Sequence, residues 1–191
     1  MKNWLRALLV MLVVGMVSHP RPAAAQFFLN PAIGYDFGGD SGCVSVTSCK
    51  DKKLNVAFAF GGLFNFLGFD EELAYAKDFR GKAAGLNSSV FTVMMNVMAA
   101  PKIHGTRPYA LIGMGLVKDR VGFGQLRDVT TDNNTLGWDV GGGIFVNGKH
   151  FGVRGDIRYM HSFRQFKALR LVQEGEKLDF GRASVGLVYL F

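Results

Sequence analysis

From residue 28 onward, apolar side chains recur at every second position, in stretches of roughly ten residues separated by polar segments. That period belongs to a β-strand with one apolar face, and about 9–11 residues suffice for a strand to cross a bilayer. Eight such stretches can be placed. The first, Phe28 to Gly38, sets Leu29, Ile33, Tyr35 and Phe37 against Asn30, Ala32, Gly34 and Asp36. The second, Leu54 to Phe64, sets Val56, Phe58, Phe60 and Phe64 against Asn55, Ala57, Ala59 and Gly61. The third, Gly68 to Phe79, has Phe69, Leu73, Tyr75 and Phe79 opposite Asp70, Glu72, Ala74 and Asp78. Glu71 falls on its apolar face, which suggests a bulge or the interfacial end of the strand. The fourth runs from Ser89 to Ala99. The fifth, Arg107 to Val117, is glycine-rich and ambiguous in face. The sixth runs from Thr135 to Val146, the seventh from His150 to Met160 and the eighth from Leu178 to Phe191.

The connections alternate in length. Segments near 39–53, 80–88, 118–134 and 161–177 are long and polar, whereas those near 65–67, 100–106 and 147–149 are short. This predicts an all-β, eight-stranded antiparallel up-and-down barrel with both chain ends on one side. Alternation does not say which face is inside. A soluble carrier would turn the apolar face inward; a transmembrane barrel turns it to lipid. The membrane reading is favoured because the second face carries Gly, Ala and charges, which suits the narrow lumen of eight strands. In addition, Tyr35, Phe37, Tyr75, Phe79, Tyr159 and Tyr189 fall near strand ends, where aromatic girdles lie.

Composition changes this picture mainly at the N-terminus. Lys2 and Arg6 precede the apolar run Ala7 to Val17, which is too short to cross a membrane as a helix; Ala23-Ala24-Ala25 follows. Residues 1–25 are therefore expected to be a cleaved secretory signal peptide, and residues 26–191 the outer-membrane barrel domain. Removing Lys2, Arg6 and Arg21 lowers the formal charge from +7 to +4. In an exported chain, that charge points to an anionic surface such as lipopolysaccharide phosphates, not to nucleic acid. Cys43 and Cys49 read as a disulfide within one loop of an exported protein. Without a nearby His they do not form a zinc site, and no metal or other cofactor is expected.

Candidate chemistry concentrates in the lumen. Arg154, Asp156 and Arg158 share one face of the seventh strand. Asp139 on the sixth, Arg182 on the eighth, Asp36 on the first and Glu72 on the third point the same way. Unpaired charges in a narrow lumen are costly, so these seven should pair, either as a static plug or as a gate for small ions. Val188 and Leu190 are apolar on the same inner face, which predicts a closed lower lumen. The last long connection holds Arg164, Lys167, Arg170 and Lys177, an external basic segment suited to lipopolysaccharide or to an anionic polymer. Asp128, Asp132 and Asn133 lack the spacing of a calcium loop and read as turn formers. Gly141-Gly142-Gly143 opens no helix and reads as a packing feature, not a phosphate loop.

The terminal stretch from Val185 to Phe191, with Leu187, Tyr189 and Phe191 on one face, resembles the C-terminal strand of outer-membrane proteins that the barrel-assembly machinery recognises. Pro108-Tyr109 with Gly113 and Gly115 is similar to the Pro-Tyr strand of opacity-type and OmpA-like barrels. Gly137-Trp138-Asp139 followed by Arg154-Gly155-Asp156 is similar to their late hairpin. The resemblance covers residues 27–191. It implies a protein of the bacterial outer membrane, in contact with its lipids and lipopolysaccharide, acting without catalysis in envelope integrity, surface interaction or adhesion. A narrow small-solute channel is the alternative. Lipid A deacylases are barrels of this size and carry a His-x-Ser-Asn stretch after an Arg-Tyr segment. Here His161 and Ser162 are adjacent, so they should point to opposite faces, and no acid to orient the His is evident.

Overall fold

The computed structural model describes residues 26–38, 52–79, 86–123, 129–163 and 178–191. Residues 1–25, both cysteines, Asp128 and the basic segment Arg164, Lys167, Arg170 and Lys177 lie outside the described residues. Eight strands follow in chain order: β1 Gln26–Phe37, β2 Lys52–Leu63, β3 Leu67–Lys77, β4 Leu86–Ala99, β5 Thr106–Phe123, β6 Val129–Asn147, β7 Phe151–Ser162 and β8 Asp179–Leu190. Each pairs antiparallel with its sequence neighbours, and β8 pairs with β1 to close the barrel.

Register fixes the barrel's shape. The row of partners from Phe27 runs through Gly62, Phe69, Val97, Ile112, Val140, Tyr159 and Gly181, then re-enters β1 at Phe37, ten positions further on. Eight strands with that stagger tilt by roughly 40° and enclose a cylinder of about 8 Å backbone radius, which side chains fill.

The alternation decides which face is which. Ile33, Val56, Ile112, Met114 and Leu187 are exposed on the outside, while Asp36, Asp70, Asp139, Arg154 and Arg158 are buried within. A soluble carrier would need the reverse. Phe27, Phe69, Phe151, Tyr189 and Phe191 belt the outside near the short turns, and Tyr35, Tyr75, Trp138 and Tyr159 belt it toward the long connections. On β1 the two belts are eight residues apart, from Phe27 to Tyr35. At about 3.4 Å per residue and the tilt above, the apolar band is roughly 20 Å tall, close to the band of outer-membrane barrels. The face of β5, ambiguous in the sequence, is settled by register: Leu111 and Val117 are buried inside, and Ile112, Met114 and Leu116 face out.

Three sequence expectations need correction. The segment 118–134 is mostly strand, because β5 and β6 continue pairing from Lys118↔Asn134 out to Phe123↔Val129. Asp132 and Asn133 therefore belong to β6 rather than to a turn. Phe79 does not join the outer aromatic belt. Asp78 adopts φ 56°, which reverses the alternation after β3 and turns Phe79 into the lumen, fully buried. Glu71 marks neither a bulge nor a strand end. Pairing runs unbroken through Phe60↔Glu71 and Glu71↔Met95, which leaves the carboxyl on the outer face between Phe69 and Leu73. An acid on the lipid face costs less than the ~2–4 kcal/mol of a basic residue at the midplane. Glu71→Leu is accordingly expected to raise stability by about 1–2 kcal/mol in urea unfolding from lipid vesicles.

Candidate functional site: the barrel interior

The lumen is built in three layers. At the short-turn end, Phe28, Leu63, Met98, Tyr109, Leu111, Phe145, Val188 and Leu190 pack into one apolar cluster. Toward the long connections, Phe79, Val90, Met94, Val117, Met160, Leu178 and Phe180 form a second. The sequence pointed to the lower closure through Val188 and Leu190; in the upper one, Phe79 was hidden by the inversion at Asp78. Ring pairs stiffen both: Phe28 meets Phe145 edge-on at 5.4 Å between ring centres, and Phe79 meets Phe180 at 5.0 Å.

Between the clusters lies an ionic layer that contains all seven charged residues assigned to the lumen. Arg158 is its hub. Its Nη2 lies 2.7 Å from Glu72 Oε2 and 3.1 Å from Asp156 Oδ2, and its Nη1 lies 3.3 Å from Asp139 Oδ2. Arg182 holds Asp36 through two parallel bonds, Nε to Oδ1 at 2.7 Å and Nη2 to Oδ2 at 3.0 Å, and its Nη1 donates to Thr92 Oγ1 at 3.0 Å. Arg154 reaches Asp70 Oδ2 at 2.5 Å and Asp156 Oδ2 at 3.1 Å. Its guanidinium carbon lies 5.1 Å from the Tyr109 ring centre and 5.0 Å from that of Phe145, joining the ionic layer to the lower cluster by cation–π contact. Arg182 does the same above, 5.5 Å from the Phe180 ring.

Sequence reasoning missed several members of this layer. Asp70 carries the pair with Arg154 and accepts from Asn96 Nδ2 at 2.7 Å. Asn55 Nδ2 donates to Asp36 Oδ1 at 2.7 Å, Tyr109 Oη to Asp156 Oδ2 at 2.8 Å, and Ser184 Oγ to Asp156 Oδ1 at 3.0 Å. The available signal was register: Asp70 and Asn96 stand directly opposite on β3 and β4, both on the inward parity. Low-dielectric burial strengthens such pairs and makes the loss of any one partner expensive. The arrangement can hold charge in place between its two apolar caps.

His161 and Ser162 separate as strand geometry requires. Ser162 is buried and its Oγ accepts from the Leu178 N–H at 2.8 Å, whereas the half-exposed His161 is on the outer face beside Trp138. The acid missing from the sequence reading is present: Asp179, directly across the β7–β8 pair, makes an ion-pair contact with His161 Nδ1. Leu187, Tyr189 and Phe191 all face outward on the last strand.

A closed antiparallel barrel with an apolar exterior and a charged, filled interior defines an integral protein of the bacterial outer membrane. The chain belongs to the outer membrane protein beta-barrel domain family, whose model matches residues 9–191. Among solved structures it is similar to neisserial surface protein A, at 15% identity with a TM-score of 0.60, covering 87% of this chain and 97% of that one. A major outer membrane protein from Thermus thermophilus is similar at 13% identity and a TM-score of 0.59, over 88% of this chain and 100% of that one. Ail, the attachment invasion locus protein of Yersinia pestis, is similar at 13% identity and a TM-score of 0.54, over 87% of this chain and 97% of that one. A search of curated proteins gives no match. At these identities the likeness establishes the fold.

Proposed function

We propose that this protein is a closed, non-enzymatic barrel that acts through its outer surfaces, seated in lipopolysaccharide and meeting an anionic extracellular partner with its external loops. One observation carries the reading: the lumen is filled by an ionic layer between two apolar caps, which leaves the exterior as the working surface. Lys52, Lys77 and Arg120 are exposed on the outward parity just beyond the upper aromatic belt, at the level where lipopolysaccharide phosphates lie. The segment with Arg164, Lys167, Arg170 and Lys177 adds cations to the last external connection. The Yersinia pestis protein has also been crystallised with the heparin analogue sucrose octasulfate, which makes a sulfated polymer a sensible first probe here. Leu187, Tyr189 and Phe191 form the terminal signature through which the assembly machinery would engage β8.

Two experiments test this reading. Purified protein in planar bilayers is expected to give negligible conductance, and steady single-channel currents would replace the closed barrel with the small-solute channel. Neutralising Arg164, Lys167, Arg170 and Lys177 together is expected to abolish retention on immobilised heparin at low salt. Unchanged retention would remove those four residues from the surface role.

A further inference from the structure

The ionic layer has more acid than base. Asp36, Asp70, Glu72, Asp139 and Asp156 face Arg154, Arg158 and Arg182, five carboxylates to three guanidiniums. The fourth guanidinium in the lumen, Arg107, donates to the Phe64 carbonyl at 2.6 Å. With Arg107 counted, one negative charge is left over among the described lumen residues, and at this depth it calls for a cation or a proton.

The register says where it belongs. Asp70, Asn96, Gly113 and Asp139 form one row across β3, β4, β5 and β6. Asn96 turns its amide nitrogen to Asp70, so its carbonyl oxygen points the other way, over Gly113. Asp139 directs Oδ1 into the same space from the opposite side. A Cβ on Gly113 would collide with both oxygens, so the two lie close together against the glycine backbone. Asn96 and Asp139 are 2% and 0% exposed, and neither oxygen has a hydrogen-bond donor among the described residues. Two buried acceptors therefore face one another with nothing positive between them.

We propose that this pair of oxygens beside Gly113 binds one hard cation of the alkali or alkaline-earth class. Its protein ligands are Asn96 Oδ1 and Asp139 Oδ1. A water molecule would satisfy both acceptors but leave the charge surplus untouched; a cation answers both. Oxygen donors of amide and carboxylate type suit hard ions. Among the described residues no trio of His, Cys, Asp or Glu converges as metal ligands. With one carboxylate in the shell, the ion is held weakly and exchanges with the medium. Its role is that of an internal counter-ion, distinct from any surface activity of the barrel.

The test uses the intact purified barrel in detergent. Its melting, followed by heat-modifiable gel mobility, is compared in chlorides of sodium, potassium, magnesium and calcium against N-methylglucamine chloride at equal ionic strength. At tenfold excess over its dissociation constant, the preferred ion is expected to raise melting by about 3–6 °C. Asp139→Asn should abolish that response, and comparison of the four salts identifies the ion class. Equilibrium dialysis of the unmodified protein with radioactive sodium or calcium provides a second readout should the variant not fold, with one ion per barrel expected. Equal melting in all five salts with no bound ion would overturn the proposal. So would a protonated-carboxyl infrared band that disappears in Asp139→Asn, since a proton would then take the cation's place.

Discussion

Arg158→Met is expected to lower the stability of the folded barrel by about 3–5 kcal/mol, measured by urea unfolding in vesicles or by loss of the heat-modifiable band. The size follows from what the substitution leaves behind. Glu72, Asp139 and Asp156 all lie within 3.3 Å of that one guanidinium. Methionine fills much of the same volume, so the loss is electrostatic and not a cavity effect. Adding Glu72→Gln to the variant should recover part of the loss, because one of the stranded charges is then removed. A stability within about 1 kcal/mol of the unmodified protein would show that the layer is solvated, not sealed.

Gly141→Val is expected to prevent formation of the folded barrel. Gly141 on β6 stands opposite Arg158 on β7, and an added Cβ would lie 2.8 Å from both Cα and Cγ of that arginine. Overpacking alone costs about 1–3 kcal/mol; here the intruding methyls also displace the guanidinium from its three acids. The expected readout is absence of the heat-shifted form after refolding, with Gly142→Ala, off this row, as the milder comparison. A folded Gly141→Val barrel of unchanged stability would mean that β6 and β7 can slide apart at this point.

All eight strands, their order and the polarity of every face but that of β5 were legible in the sequence, because a half-buried strand writes its two environments at alternate positions. The seven lumen charges were legible for the same reason. What was not legible depends on single backbone events and on pairing. The positive φ at Asp78 inverts one face with no sign in the alternation, which is why Phe79 was misplaced. The continuation of β5 through 118–123 and of β6 over 129–134 is written mostly in polar residues, since strand beyond the bilayer has no lipid to face. Asp179 became a partner of His161 only through β7–β8 register, across a connection that pattern alone cannot measure.

The ionic layer also bears on how the chain can fold. Asp36 meets its arginine 146 residues later in the sequence, Thr92 meets the same arginine 90 residues away, and Asp70 is 84 residues from Arg154. Contacts of such high order form late, and loop closure must come before they contribute. Until β8 docks on β1, Asp36 lacks Arg182, and Asp70 and Glu72 on β3 can reach Arg154 and Arg158 on β7 only across the closed lumen, so an open sheet of seven strands would hold these carboxylates at bilayer depth unpaired. Insertion and closure should therefore occur as one cooperative event, with partly inserted sheets too costly to accumulate.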